Sequence, residues 1–240
     1  MGQREHAGLR DQRGWGTGPW PPSGLLGSLP KPSRDRLLEP GMTRQYVAGQ
    51  VLMREGDATK FVVVLLDGVV KATGLTLDGK EALLAIRVGG DIVGEFAALD
   101  EGPRSSTITT CGTVIGRVIM QADFLAALHR DNLLAEAVNR VVVAKVRAAN
   151  ARRVEFTGYD APTRLARVLR EIAVRYGERS GNRVVITWPL TQPELASLAA
   201  VAEPTAQKVL RKLREGGVIA TGYRSLAIMD LDELDRIAGL

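Results

Sequence analysis

The sequence predicts an α+β protein with three structured parts: a β-rich barrel of the jelly-roll type, a long helix, and a smaller C-terminal domain of short helices and strands. Two observations carry this prediction. Between residues 45 and 120, glycine-containing turn dipeptides recur roughly every ten residues between short β-rich runs, which is typical of an all-β barrel or sandwich. After Asp123 the apolar residues follow a helical period instead.

Length and composition place the domain boundaries. A chain of 240 residues exceeds one average domain. Residues 1–28 are rich in Gly, Pro, Trp and Arg and have no apolar period, so we predict a disordered tail. We divide the remainder into a barrel at 29–121, a helix at 122–157 and a C-terminal domain at 158–240.

Within the first part, a short helix is predicted at Lys31–Leu38, because Pro32 suits its first turn and Pro40 with Gly41 would end it. The strands of the barrel are predicted from β-rich runs bounded by glycine turns. These runs are residues 61–66, 69–72, 81–87, 107–111 and 114–120.

One stretch, residues 93–110, interrupts the strands and is too apolar for a solvent-exposed loop. It opens with Gly94 and Glu95, and Arg104 follows nine residues after Glu95. Residues 97–99 could form one helical turn whose free N–H groups point at a phosphate. Arg104 offers a planar fork of donors to phosphate oxygens, and Glu95 can accept from a sugar hydroxyl. The pattern therefore indicates an anion pocket.

The same stretch resembles the phosphate-binding cassette of cyclic-nucleotide-binding domains. The resemblance rests on Gly94-Glu95-Phe96-Ala97-Ala98-Leu99 followed by Pro103-Arg104-Ser105-Ser106-Thr107. It implies that Glu95 holds the ribose 2′-hydroxyl, that Arg104 pairs with the cyclic phosphate and that Ser105 supports it. The implied ligand is a cyclic nucleotide, with cyclic AMP as the first candidate, bound by Gly94, Glu95, Phe96, Ala97, Arg104, Ser105 and Ser106.

The helical segment carries a long apolar stripe after a short helix that contains Phe124. The stripe could pack on the barrel or could form a two-stranded dimer helix, which the family resemblance favours. In the receptor proteins of this family, the helix also supplies polar side chains to the adenine. Here residues 147–150 lack the expected Thr-Ser pair, and Asn150 is the one neutral polar residue among them. The stripe consists of Leu134, Val138, Val141, Val142, Val146 and Ala149.

A break at residues 157–162 precedes an amphipathic helix at 163–176, with Leu165, Val168, Leu169 and Ile172 on one face. Further on, Thr191 and Glu194 fit a capping box. Two short helices separated by a tight break at 200–202 are what a helix-turn-helix needs. Two β-rich runs around residues 222–224 then predict a two-stranded wing.

This C-terminal part resembles the winged helix-turn-helix of the cyclic-AMP receptor and FNR regulators, so the resemblance covers residues 29–240. The recognition helix departs from the family's best-known form. Glu203 and Pro204 stand where an Arg-Glu pair is usual, so a bidentate arginine for guanine is missing there. The candidate DNA-binding residues are Thr191, Glu203, Thr205, Gln207, Lys208, Arg211 and Arg224.

Composition excludes several classes of site. A single cysteine, Cys111, permits neither an internal disulfide nor a four-thiolate iron–sulfur centre. Neither His6 nor His129 has a His or Cys partner at ligand spacing, so we expect no metal and no haem. No apolar run approaches a membrane span, and no secretory signal is present, so we expect a cytoplasmic protein.

Charge is a weaker guide to function. The net charge of +5 is compatible with nucleic-acid binding. From Thr157 onward, however, 12 Lys and Arg stand against 10 Asp and Glu, so charge alone does not predict DNA binding.

The sequence favours a homodimeric, DNA-binding transcriptional regulator controlled by a cyclic nucleotide, with RNA polymerase as a candidate further partner and no enzymatic activity. One alternative is a constitutive regulator of the same family that needs no small molecule. Another is a nucleotide-binding enzyme or a kinase-type regulatory subunit. The lack of a Ser–His–Asp, metal or Walker constellation argues against that class.

Overall fold

The computed structural model describes residues 20–79, 81–222 and 225–240. This part of the chain forms two compact units. The first comprises the described residues up to Lys71 together with Ile86–Val143, and the second comprises Ala72–Ala85 together with Ala144–Leu240.

Two four-stranded sheets confirm the β-rich, jelly-roll-like prediction. One sheet has the order β1-β8-β3-β6 and the other β2-β7-β4-β5. In β3, five consecutive residues from Val62 to Leu66 are buried. Val62, Val64 and Leu66 belong to a cluster with apolar residues of the flanking helices, while Val63 and Leu65 point to the opposite face of the strand. The strands are β1 (Met42–Tyr46), β2 (Val51–Met53), β3 (Phe61–Asp67), β4 (Val69–Leu75), β5 (Glu81–Val88), β6 (Ile92–Val93), β7 (Thr107–Thr110) and β8 (Val114–Met120).

The described part of the segment before the barrel begins at Trp20. It contains α1 (Leu25–Ser28) and the predicted helix α2 (Lys31–Leu38). Leu25 and Leu26 are fully buried in the core of the first unit, and the Trp20 indole Nε1 donates to the Leu66 carbonyl at 2.9 Å. The prediction of disorder is therefore wrong for residues 20–28. Burial of the two leucine side chains stabilises this segment, although the Gly- and Pro-rich composition around them is typical of disorder. Residues 1–19 lie outside the described residues.

The predicted helical segment contains two helices, α4 (Gln121–Arg130) and α5 (Asn132–Gly158). The first turns of α5 bury Leu134 and Val138 beside Phe124 in the core of the first unit. These two residues therefore belong to the core of the first unit and not to a free dimer surface. Further along α5, Val143 and Val146 are 50% and 49% exposed.

The second unit contains α6 (Ala161–Tyr176), which is separated from the end of α5 by two residues, within the predicted break. Asp160 caps α6 by accepting from the Thr163 amide at 3.0 Å, and the predicted apolar face is buried. The elements that follow are β9 (Glu178–Ser180), β10 (Arg183–Ile186), α7 (Gln192–Leu198), α8 (Glu203–Glu215), β11 (Ile219–Gly222), β12 (Ser225–Ile228) and α9 (Leu231–Ala238).

The predicted two-stranded wing, β11 with β12, is part of a larger sheet of order β11-β12-β10-β9. Strand β9 turns into β10 through Gly181, which has a φ of +63°, a conformation that suits glycine in a tight hairpin. The final helix α9 packs on α6, and Arg167 closes its C-terminal end by donating from Nε to the Ala238 carbonyl at 2.8 Å. Among the described residues, no helix is both long and apolar enough to cross a membrane.

Candidate functional site

The predicted cassette lies between β6 and β7 and begins at Gly94. This residue has a φ of +84° and precedes a five-residue helix, α3 (Glu95–Leu99). A Cβ atom at Gly94 would lie 2.6 Å from Arg104 Nη1 and 2.9 Å from the Phe61 carbonyl oxygen. Both the backbone conformation and the lack of space therefore require glycine here.

Arg104 lies at the centre of the cassette with only 2% of its surface exposed. Its Nη1 donates to the Gly94 carbonyl at 2.9 Å, and its Nη2 donates to the Phe61 carbonyl at 2.7 Å. Its Nε donates to the Thr59 hydroxyl at 3.1 Å. The guanidinium also lies 4.7 Å from the centre of the Phe61 ring. These contacts fix the plane of the guanidinium against β3.

Two carboxylates act on this buried cation. Burial lowers the pKa of Arg104 from its usual value, and the charges of Asp57 and Glu95 act in the opposite direction. Arginine remains protonated in proteins, so the site holds a positive charge that these acidic side chains partly balance. Glu95 is itself buried, with 3% of its surface exposed.

The other predicted ligand residues occupy different environments. Ala97 is buried, Phe96 and Ser106 are half-buried, and Ser105 is exposed. The cassette therefore brings Gly94, Glu95 and Arg104 together. Asn150 lies on α5 in the second unit and is exposed.

The residues that hold Arg104 were not predictable as site residues. Phe61 acts through its backbone carbonyl, and Thr59 is more than 40 positions away from Arg104 in the chain. No sequence motif indicates a bond to a backbone carbonyl or to a residue so distant in the chain. The β-rich run at residues 61–66 predicts that Phe61 lies on a strand. It does not predict that the Phe61 carbonyl contacts Arg104.

The second predicted site is the pair α7 and α8. Thr191 and Glu194 form the predicted capping box: the Thr191 amide donates to Glu194 Oε2 at 2.7 Å, and the Glu194 amide donates to Thr191 Oγ1 at 3.3 Å. The break between the helices includes Ala200 with a φ of +51°, where glycine would be unstrained. Val209, Leu210 and Leu213 anchor α8 in the core.

The outward face of α8 carries five of the seven predicted DNA-binding residues, and these five are exposed. Two of them contact each other, because Gln207 Nε2 donates to Glu203 Oε1 at 3.1 Å. Arg211 forms a 3.8 Å ion pair with Glu215. Thr191 is exposed at the start of α7, whereas Arg224 lies outside the described residues. The exposed residues of α8 are Glu203, Thr205, Gln207, Lys208 and Arg211.

Family models match both regions. The cyclic nucleotide-binding domain matches residues 43–131, and the Crp-like helix-turn-helix domain matches residues 163–237. A "CRP-like cAMP-activated global transcriptional regulator" of Mycobacterium tuberculosis is 31% identical over 194 residues, which cover 80% of this chain and 86% of that protein. The chain belongs to the CRP/FNR family of transcriptional regulators.

A further relative agrees in sequence, and a solved structure agrees in fold. A "Cyclic AMP receptor protein" of Thermus thermophilus is 26% identical and covers 81% of this chain, with 87% of that protein matched. The structure of FixK2 from Bradyrhizobium japonicum superposes with a TM-score of 0.70 at 18% identity, covering 82% of this chain and 96% of that one. At this identity the second match supports the fold alone.

The CRP/FNR family consists of transcription regulators, which are not enzymes. In the described part of this family member, no group of three or more His, Cys, Asp or Glu side chains is arranged to hold a metal ion. Cys111 is buried, which limits its reactivity.

Proposed function

We propose that this CRP/FNR regulator is a homodimer whose DNA binding is controlled by a cyclic nucleotide, with cyclic AMP as the first candidate, bound between Glu95 and Arg104. The protein would act in the cytoplasm, on a double-stranded operator, with RNA polymerase as a further partner. The observation that carries the proposal is the buried position of Arg104 beside the Gly94–Glu95 turn.

The geometry of Arg104 supports a role in phosphate binding. A guanidinium has five N–H donors, and three of them have protein acceptors among the described residues. Two further N–H groups are available to the oxygens of a cyclic phosphate. A charge-assisted bond in a buried site is stronger than one in water.

Glu95 supports the recognition of a ribose. An ionised carboxylate is an acceptor only, and a ribose 2′-hydroxyl supplies a donor. The same carboxylate acts on Arg104 through its charge, so Glu95 would orient the sugar and balance the cation. Relatives described as cAMP-activated and as a cyclic AMP receptor protein favour this nucleotide.

The exposed face of α8 supports DNA binding by a dimer. Thr205, Gln207, Lys208 and Arg211 lie on one outward surface, as in a recognition helix that enters the major groove. A two-fold dimer would place two such helices about 34 Å apart, which matches successive major grooves. The exposed Val143 and Val146 on α5 are candidate contacts with the second subunit.

A second candidate function is constitutive DNA binding without a small molecule. It is favoured by the composition of residues 147–150, where Asn150 is the one neutral polar side chain and an adenine would find few partners. In this case the three protein acceptors of Arg104 would be its permanent partners and the cassette would serve structure alone.

Calorimetric titration of the full-length protein with cyclic AMP, with cyclic GMP as the comparison, tests the proposal. We expect saturable binding of cyclic AMP by the parent and a loss of at least about tenfold in affinity for Arg104→Lys, which keeps the charge but lacks the planar fork. Arg44→Lys, on an exposed position of β1, is the matched control and should bind like the parent. If the parent binds no cyclic nucleotide but binds its operator without any added ligand, the constitutive function is favoured.

A further inference from the structure

The helix of the cassette cannot hold its place by itself. α3 has five residues, and no side chain caps its N-terminal end. Isolated helices much shorter than about 12 residues are not stable in water. The position of α3, and with it the position of Glu95, must therefore be set by bonds from the rest of the barrel.

These bonds gather at the C-terminal end of α3. The Phe96 carbonyl accepts from the Asp100 amide at 2.9 Å. The Ala97 carbonyl accepts from Lys60 Nζ at 3.5 Å, and the Ala98 carbonyl accepts from Gln121 Nε2 at 3.0 Å. The Phe96 bond is an ordinary backbone bond of the helix, whereas the Ala97 and Ala98 carbonyls, which the helix end leaves open, accept from side chains outside the cassette.

Lys60 also holds the turn that follows α3. Its Nζ donates to the Glu101 carbonyl, and to the Gly102 carbonyl at 3.1 Å. Glu101 has a φ of +58°, a left-handed conformation that is strained for a residue other than glycine and persists only where its surroundings require it. The ammonium group, which has three donors, therefore contacts three backbone carbonyls between residues 97 and 102.

The neighbours of Lys60 in the chain hold the other end of the cassette. The Thr59 hydroxyl and the Phe61 carbonyl both accept from Arg104. Three consecutive residues, 59–61, thus contact the two parts of the cassette that carry the proposed ligand groups. A shift of α3 relative to residues 59–61 would break the contacts of Lys60.

We propose that Lys60 is a positioning residue for the cyclic nucleotide: it fixes α3 and the 100–102 turn relative to Arg104, and so sets the affinity of the cassette. It contacts only the protein backbone in this role. The inference rests on the proposed function, because it assigns Lys60 to the same binding site. A cation at the end of a helix is also favoured by the helix dipole.

The test compares Lys60→Met and Lys60→Arg with Lys31→Met in the full-length protein. Methionine keeps the apolar stem and removes the donors and the charge, whereas arginine keeps both. Lys31, paired with Asp35 on the exposed face of α2, loses the same charge as a control. We expect Lys60→Met to weaken cyclic AMP binding by on the order of tenfold. The affinity of Lys60→Arg should lie within about threefold of that of the parent, and Lys31→Met should bind like the parent.

Amide hydrogen exchange of the ligand-free proteins gives an independent readout. In Lys60→Met, residues 96–104 should exchange faster while β3 keeps its protection, because the change releases the cassette and leaves the barrel intact. If the methionine variant is poorly folded, Gln121→Met, which removes the neighbouring bond to Ala98, provides the same comparison.

Parent-like binding by Lys60→Met would overturn the proposal, as would unchanged exchange at residues 96–104. The proposal would also be overturned if amide exchange became faster throughout the barrel in Lys60→Met and stayed fast in Lys60→Arg. Lys60 would then stabilise the barrel as a whole and not the cassette in particular. A parent that binds no cyclic nucleotide would contradict the proposed function. The exchange experiment would then still decide whether Lys60 holds the cassette in place.

Discussion

Arg104 Nη1 donates to the carbonyl oxygen of Gly94 at 2.9 Å, so the first residue of the cassette is bonded to its arginine. The bond joins the turn that precedes α3 to the segment that leads into β7. A ligand phosphate near Arg104 would therefore lie beside the one residue of the cassette whose backbone requires glycine. A change at Gly94 should therefore also displace the Arg104 side chain.

Gly94→Ala should destabilise the protein and weaken nucleotide binding together. The added Cβ would lie within 3 Å of both Arg104 Nη1 and the Phe61 carbonyl, and the positive φ adds strain of about 1 kcal/mol or more. Gly49→Ala is the matched control, since Gly49 has a φ of +77° and a Cβ added there would meet no atom within 4 Å. Thermal unfolding should show a larger loss for Gly94→Ala. Equal losses in the two variants would mean that Arg104 moves away from the new methyl group without cost.

Asp131 should link stability to acid pH. Its side chain is 4% exposed and accepts from Arg36 at 2.7 Å and from the Leu134 amide at 3.2 Å. Burial acts to raise its pKa, but hydrogen bonds from Ser33, Leu134 and Arg36 lower it below the ordinary value. The stability from this group is thus complete above the ordinary Asp pKa of about 3.9 and is lost as the pH falls through the lower folded value.

Asp131→Asn should cost about 1 to 3 kcal/mol at neutral pH, because Arg36 and the Leu134 amide lose a charged acceptor, and should flatten the acid limb of the stability curve. Glu136→Gln is the control, since Glu136 and Arg140 form an exposed pair that contributes little. Urea unfolding at several pH values measures both effects. An acid limb as steep as that of the parent in Asp131→Asn would assign the pH dependence to other groups.

Thr191→Ala should destabilise the helix-turn-helix by about 1 kcal/mol, because the Glu194 amide loses its cap. Glu194→Gln can keep the reciprocal bond to the Thr191 amide and should cost less. A double-mutant cycle with Glu194→Ala should show coupling, since the two side chains cap one helix end. If the effects of the two alanine changes on the free energy of unfolding are additive, Thr191 and Glu194 are not energetically coupled.

Lys208→Ala should weaken DNA binding about equally on all sequences and should reduce the salt dependence of binding by about one ion, as expected for a phosphate contact. Lys208 is exposed on the outward face of α8. Lys31→Ala removes the same charge from the first unit and should leave the salt dependence unchanged. Fluorescence anisotropy with a labelled duplex at several salt concentrations measures both variants. An unchanged salt slope in Lys208→Ala would remove this residue from the interface.

Features set by neighbouring residues could be predicted from the sequence. The capping box of Thr191 and Glu194 needs only a three-residue spacing, and the break at residues 157–162 needs only Gly and Pro signals. Helix α9 carries the same kind of signal: Asp230 caps the Glu233 amide at 2.9 Å, and Gly239 ends the helix with a φ of +64°. The sequence therefore carries the start and stop signals of this helix, which we did not predict.

Features set by distant residues could not be predicted in this way. The burial of Leu134 and Val138 beside Phe124 depends on how α5 rotates against the barrel, and an apolar stripe gives the same period for a core face and for a dimer face. The contacts of Lys60 join a side chain to carbonyls about 40 residues away. Backbone carbonyls exist at every position, so no residue pattern marks the ones that a lysine will reach.

Operator binding at increasing cyclic AMP concentration, for the parent and for Arg104→Ala, tests the central claim most directly. The duplex would come from parallel selections of random DNA with and without the nucleotide. We predict that cyclic AMP tightens DNA binding by the parent at least about tenfold, within the usual range of allosteric coupling. We predict no such response in Arg104→Ala, with its thermal unfolding still cooperative. An equal response in both proteins, or tight operator binding by the parent that no cyclic nucleotide changes, would contradict the account.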